Sequence, residues 1–583
     1  MSHASNSEQL ALPLVIAVTG HRDLVAAEIP LIRQRMEELF VDLKEEYPYN
    51  RLVIMSPLAE GADTIAAEVA LDLEIDLLVP LPKPLDEYLA DFNTEEARQK
   101  FRDLSTRARQ IIELKYAIPP TPDGFEEDNW INSFPYAHLG TYLCAHCHIL
   151  LAVWDGQEST KIGGTASVIR FHQDDIMPGL TPDTAAAQRM LVDDESDLVF
   201  HIPCSRDSAD YAEHAGHTVE ESCWYTKDKE NPRSKELPAQ HKLIFQRSAE
   251  FSQDAQLYAE KIEQERWSLI ESEAAEKLPD GIKDIDKTYC AADWLAMFYQ
   301  KKVMRTLLVT HVMAFLMGLM FLMYTDFSSV QLMLVAFLIF FTIATLSQTA
   351  SKRGEWHRKY LDYRTLAEGL RVQFYWAAAG VTSKSKWKFA HDSYLQTENP
   401  EFGWIRNVMR VAGIDNDADP YVDNHGMQFT LAEWVGGEDS GQLGYFKRKA
   451  QERIERYKLN EKLGTLSLLA SVASVFVFLI FGSDMSELGH SIVALVMGTT
   501  LLLYGVREGY TYANATKELI KQYEHMLRIF DNANRRLAEA NTIEDKRSVL
   551  SVLGQSALDE HADWIVMQRE RSLDETEIWR MGS

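Results

Sequence analysis

Two kinds of apolar patterning divide the chain. In its first third, short apolar runs alternate with stretches of helical spacing. The run LPLVIAV at 12–18 is nearly continuous, as a strand buried on both faces of a parallel sheet requires. It ends in Thr19-Gly20-His21-Arg22-Asp23. Residues 29–46 then carry Leu31, Met36, Leu39, Phe40 and Leu43 at helical spacing; 51–55 reads as a second strand, 64–73 as a helix and 76–80 (DLLVP) as a third strand. Strands alternating with helices predict a doubly wound α/β domain, with its ligand crevice at the carboxyl ends of the strands. Further on, 87–116 reads as a charged helix and 123–135 as an irregular acidic loop over the crevice. A helix at 136–147, a strand at 149–154 and a closing strand at 198–202 follow, which ends the domain near residue 205.

The second pattern is longer. Residues 306–324 and 330–346 contain no Asp, Glu, Lys or Arg. As helices they reach roughly 25–28 Å, close to the hydrocarbon thickness of a bilayer. Only 325–329 separates them, so they form a hairpin, and 463–481 with 491–504 repeats the plan. Lys301, Lys302 and Arg305 precede the first hairpin, and Lys352, Arg353, Arg358 and Lys359 follow it. Lys447, Arg448, Lys449, Arg453 and Arg456 precede the second, with Arg507 after it. The turns carry only acidic charges, so both termini and the large domains are expected on the cytoplasmic side of a multi-pass protein. After the first hairpin, Trp356, Tyr360, Tyr363, Ala367, Leu370 and Phe374 form a coiled-coil-like seam. Leu519, Tyr523, Met526, Phe530, Ala533 and Leu537 do the same after the second. The fold expected is thus an α/β N-terminal domain (1–205), a linker and helical connector (206–300), and an all-α transmembrane module with cytosolic helical stalks. That module comprises a first hairpin and stalk (301–384), a polar, turn-rich cytosolic insert (385–445), and a second hairpin and stalk with a C-terminal helix pair near 544–557 and 559–571 (446–583). Each stalk is expected to continue its span directly.

Composition narrows the function. A mean hydropathy of −0.23 over 583 residues excludes a chain that is mostly membrane-embedded. A net charge of −28 argues against direct nucleic-acid binding, which needs a basic footprint. Residues 1–11 are polar and read as a loose tail, not a signal peptide. The five cysteines are expected to be reduced.

Three loops stand where a phosphate or ribose would bind. Thr19-Gly20 ends the first strand. Gly61-Ala62-Asp63 opens a helix, where Asp63 suits capping or a sugar hydroxyl. Gly163-Gly164-Thr165 opens another and offers unencumbered N–H groups. Any one of these loops taken alone reads more readily as a tight-turn glycine; all three at one end of a sheet point to a nucleotide-like ligand. The segments VIAVTGHRDL, SPLAEGADTIAAEVAL and ILLAVWDGQESTKIGGTASVIRF, in that order, resemble the SLOG superfamily, a Rossmann-like fold of nucleotide sensors and nucleotide N-glycoside hydrolases. The resemblance spans about 1–205. It implies binding roles for Gly20, His21, Arg22, Gly61, Asp63, Asp155, Gly156, Gly163, Gly164 and Thr165, to which the loop reading adds Thr19 and Ala62. Two departures matter: Ser56-Pro57 stands where relatives often have glycines, and Ala166-Ser167-Val168 follows Thr165 where the hydrolytic branch has a Glu. A hydrolase needs such a carboxylate, so a sensor with no catalytic residue, metal or resident cofactor is expected.

The membrane half, through WHRKYLDYRTLAEGLRVQFYW at 356–376 and through 291–305, resembles SLATT two-helix effectors of bacterial conflict systems. The joint implication is a homo-oligomeric effector in the bacterial inner membrane. It would be triggered by a nucleotide-derived signal and would disrupt the bilayer in antiphage defence. Two alternatives stay open: a membrane-anchored nucleotide hydrolase using Asp23, Asp63 or Glu68, and a nucleotide-gated ion channel.

Cys144-Ala145-His146-Cys147-His148 fits a haem-attachment pattern but runs directly into a buried strand, and is read as structural. His311, two turns inside the first span, is read as snorkelling to the cytosolic interface or bonding to a neighbouring helix. Ser467, Ser471 and Ser474 place small residues on one face of the third span for close packing.

Overall fold

The computed structural model describes residues 10–159, 161–181, 197–207, 218–227, 232–270, 273–326, 330–381, 394 and 402–578. Expectations for the tail at 1–9, the turn residues 327–329, much of the 206–240 linker and most of 382–401 lie outside the described residues. The chain divides into two compact units, Met1–Ala292 with Gly369–Met427, and Asp293–Glu368 with Gln428–Ser583.

In the first unit, six strands run parallel: β1 (Pro13–Gly20), β2 (Arg51–Met55), β3 (Asp76–Leu81), β4 (Gln110–Glu113), β5 (Ile149–Trp154) and β6 (Val199–Pro203). Their order is β4-β3-β2-β1-β5-β6, so the winding reverses between β1 and β5. Two short antiparallel strands, β7 (Cys223–Tyr225) and β8 (Arg233–Ser234), extend the sheet past β6. Runs of three and two residues leave no alternation to read, which is why these strands were not expected.

The helices of this part are α1 (Ile29–Glu46), α2 (Ala62–Asp72), α3 (Leu85–Ala90), α4 (Glu95–Arg107), α5 (Glu127–Ala145), α6 (Thr165–Asp174), α7 (Ala239–Leu257) and α8 (Ala259–Glu265). The core of β1 and β5 is wholly buried, as their unbroken apolar runs require. α1 buries Ile32, Met36, Leu39, Phe40 and Leu43, so Ile32 rather than Leu31 opens its core face. Most of the expected acidic loop is helix: α5 starts at Glu127 and passes through Pro135, with Trp130 and Phe134 buried on its first turns. The expected single helix over 87–116 is instead α3, α4 and the edge strand β4.

Next come α9 (Asp280–Asp326), α10 (Gln331–Arg353), α11 (Trp356–Ala379), α12 (Gly403–Ala412), α13 (Ile414–Ala418) and α14 (Asn424–Thr430). α12 lies in the stretch read as a polar insert, yet Trp404, Ile405 and Met409 are buried and the helix packs against α7 and β1. Its attachment explains the Cys/His motif. His148 Nδ1 accepts from the Val15 N–H at 2.9 Å, and its Nε2 lies 3.1 Å from the Asn407 carbonyl. His146 Nδ1 is 2.8 Å from the Arg410 carbonyl, and Cys144 and Cys147 are buried free thiols. The motif pins α12 to the sheet.

The second unit also holds α15 (Gly441–Phe481), α16 (Glu487–Ala513), α17 (Thr516–Glu539) and α18 (Ile543–Ile578), the last a single helix where a pair was expected. Four helices, α9, α10, α15 and the one beginning at Glu487, are long and apolar enough to cross a membrane. Small residues set their contacts. A Cβ on Gly318 would fall 2.5 Å from a Leu502 methyl, and one on Gly498 would fall 2.8 Å from a Leu322 methyl. Gly464, Ser471 and Ser474 are buried along one face of α15, and Ser471 donates to the Met497 carbonyl at 3.3 Å. His311 Nδ1 lies 2.8 Å from the Leu307 carbonyl of its own helix, with the ring 5.4 Å from that of Tyr510.

The seam residues Tyr363, Leu370, Met526 and Phe530 are buried, but neither α11 nor α17 continues its span without interruption. Glu355 and Ala515, each with a φ of 48°, break the helix just before α11 and α17. The hydrogen bonds around the two breaks match. The Glu355 N–H donates to Lys352 and the Lys359 N–H to Glu355; the Ala515 N–H donates to Tyr512 and the Leu519 N–H to Ala515. Counted from these joints, Tyr363 aligns with Tyr523 and Leu370 with Phe530. The duplication therefore includes the joint.

Candidate functional site

The carboxyl ends of β1 and β5 flank the point where the strand order reverses, the place where open α/β sheets leave a crevice. β1 ends in Thr19-Gly20, and a Cβ on Gly20 would stand 2.3 Å from that of Ala62. The His21 N–H then donates to the Val153 carbonyl at 3.1 Å, and the His21 carbonyl accepts from the Ala62 N–H at 3.2 Å. Gly61, with φ of +83°, has the His21 carbonyl 2.5 Å from where its Cβ would be. Gly20, Gly61 and Ala62 thus lace the β1 loop to the start of α2 and the end of β5. The Ala62 N–H is spent on that lacing and does not face a ligand.

Polar side chains converge on this frame. His21 Nε2 lies 3.1 Å from Asp155 Oδ1, both largely buried. Burial pushes the Asp155 carboxyl up, but His21, the Gln157 N–H and Arg206 outweigh it and hold the group below its ordinary range. Asp63 is only 6% exposed, and its Oδ1 has no hydrogen-bond partner. Burial raises its pKa to about 7, against the opposing pull of Arg22 and the Ala59 N–H. Arg22 reaches outward, its guanidinium carbon 5.9 Å from the centre of the Tyr136 ring.

Tyr136 brings in residues that the sequence did not single out. Its hydroxyl donates to Asp91, Lys83 Nζ is 2.8 Å from the same carboxylate, and that ammonium sits 5.1 Å from the Tyr136 ring centre. Tyr88, buried beside them, donates to the Pro57 carbonyl at 3.1 Å. Lys83 follows the carboxyl end of β3, so its position by the crevice was in principle legible. The Tyr136–Asp91 pairing, 45 residues apart, leaves no local mark in the sequence.

The third loop meets this cluster from behind. Gly163, with φ of +68°, packs so tightly on Tyr136 and Ala137 that a Cβ would fall 2.6 Å from the Ala137 nitrogen. Gly164 is the N-cap of α6, no side chain caps that helix, and Thr165 is its half-buried first residue. Gly156 has φ of +79° and open space where a side chain would stand. The structure therefore joins His21 with Asp155, Gly61 and Ala62 with His21 and Arg22, and Arg22 with Asp63 and, through Tyr136, with Gly163.

Chemically, this is a buried carboxyl with one unpartnered oxygen beside Arg22, with Lys83 and an uncapped helix N-terminus joined to it through Tyr136. Of the other carboxylates considered for hydrolysis, Asp23 is bound by Arg206 at 3.0 Å, and Glu68 by Arg33 at 3.1 Å and Lys100 at 2.9 Å. Among the described residues no group of three or more His, Cys, Asp or Glu is placed to hold a metal ion. No family model and no curated protein matches the chain.

Proposed function

We propose that the chain is a membrane effector of the bacterial inner membrane. Its SLOG-like N-terminal unit binds a nucleotide-derived signal, and a SLATT-like four-span module responds by oligomerising or opening, which breaches the bilayer in antiphage defence. The observation that carries the reading is the Asp63–Arg22 pair at the reversal of strand order, in a chain that also has four helices of membrane-spanning length. Asp63 offers an unused acceptor to a ribose hydroxyl or base amino group, while Arg22, Lys83 and the start of α6 offer charge to a phosphate. Stalks, large domains and both termini are cytoplasmic in this reading.

The test is a thermal-shift screen of the full chain in detergent against ATP, NAD, ADP-ribose and cyclic dinucleotides, followed by dye release from vesicles. One compound is expected to stabilise the chain and provoke leakage, with both effects lost in Arg22→Gln. Stabilisation without leakage would leave a binding protein and remove the effector role.

A second reading draws on the Asp63 carboxyl alone. A group titrating near 7 is suited to general acid–base work, so nucleotide N-glycoside hydrolysis is the rival. Incubation with NAD should then release nicotinamide, and Asp63→Asn should stop it.

A further inference from the structure

The first hairpin enters and leaves its apolar stretch through cations that the second unit does not neutralise. Lys301 and Arg305 on α9, and Lys352 and Arg353 at the end of α10, are exposed, with no ion pair among the described residues. Between residues 294 and 354 the only carboxylate is Asp326, at the opposite end of α9. The nearest acids outside that range are taken: Asp293 by Arg364 at 3.0 Å, and Glu355 by Arg358. Lys302 ties this part of α9 to the start of α11, three residues beyond Arg353: its ammonium lies 4.4 Å from the Phe298 ring centre and 5.0 Å from that of Trp356.

The second hairpin is built differently. Arg507 is engaged by Glu508 and donates to Asn460 Oδ1 at 3.3 Å. Glu452 holds Lys449 at 2.9 Å and Arg456 at 2.5 Å, and Glu461 stands among Lys458 and Lys462. Lys458 and Lys462 are themselves exposed without an ion pair among the described residues, but Glu455 and Glu461 stand beside them. The chain of net charge −28 thus clears carboxylates from the flanks of one hairpin and interleaves them with the cations of its duplicate.

Residues bordering an uncharged span of this length lie at the depth of lipid headgroups, where Trp and cations anchor. Cations with no protein partner at that depth are matched by phosphate. We propose that the first hairpin binds the phosphate of an acidic phospholipid through Lys301, Arg305, Lys352 and Arg353, beside the Trp356 shelf, and that the second hairpin does not. The site is independent of what the first unit binds.

Native mass spectrometry of the full chain in detergent, titrated with phosphatidylglycerol and phosphatidylcholine, tests it. The wild type should retain phosphatidylglycerol preferentially, and the preference should fade at high salt. Lys352→Gln with Arg353→Gln should cut retention by about fivefold per cation, and adding Lys301→Gln with Arg305→Gln should abolish the preference. Lys458→Gln with Lys462→Gln should leave it intact. A charge-conserving set, Lys301→Arg, Arg305→Lys, Lys352→Arg and Arg353→Lys, should keep it too, which separates lost lipid from lost folding. Unchanged preference in the double Lys352/Arg353 variant, or equal loss in the Lys458/Lys462 variant, overturns the proposal.

Discussion

Burial lifts the Asp63 carboxyl to about 7, so the folded chain keeps this proton at pH values where the unfolded chain has lost it. The folded pKa is the higher one; the stability tied to this group therefore falls as pH rises from about 4 through 7 and is level above that. Asp63→Asn removes the burden. The variant is expected to match wild-type thermal stability near pH 4 and to exceed it above pH 7, by an amount on the order of a few kcal/mol. Unfolding curves across that range measure the effect. His148 runs the opposite way: burial lowers it to about 4, below its unfolded value, so its contribution is lost as pH falls from about 6.5 through 4. His148→Ala strands the Val15 N–H and the Asn407 carbonyl, and should cost roughly 2–5 kcal/mol in chemical denaturation. Both residues sit in motifs visible in the sequence, but the burial of His148 is not, because it depends on α12 arriving from more than 250 residues away.

At the scale of elements, the strands were legible wherever the sheet is covered on both faces, since only a continuous apolar run survives there. Legibility failed at the edge, where β7 and β8 are too short, and at α12, whose buried Arg406 and Arg410 disguise a core helix as polar chain. The seams were visible from spacing, and they carry a prediction about coupling. Phe530 meets Trp434 at 6.1 Å and Phe446 at 5.5 Å between ring centres. Truncating it should loosen α17 by about 3–5 kcal/mol, more than a typical coupling energy of about 1–3 kcal/mol. Phe530→Ala is expected to bind ligand normally while no longer linking it to leakage, read by binding and dye release on the same reconstituted sample. Leakage with the wild-type dose dependence would make α17 a scaffold only.

For the whole molecule, the four spans were the most legible feature, because a bilayer tolerates few charged positions across its thickness. Their direction is a separate matter of flanking charge. A cysteine at Ser486, in the acidic turn before α16, should react only with reagents applied from outside the cell. Reporters fused after Ser583 should be active only in the cytoplasm; labelling from inside would reverse the orientation. The joints at Glu355 and Ala515 were hidden because neither is a glycine, the residue that ordinarily marks a left-handed step. Their consequence is mechanical. An unbroken helix acts as a torsion rod and delivers twist to whatever it is fixed to. A rod cut by one left-handed residue behaves as an elbow: rotation about the shaft dissipates at the cut, while a sideways swing carries through. With these four helices in a bilayer, the same elbow twice, at matching steps of a duplicated module, would let both shafts swing in concert without winding the spans.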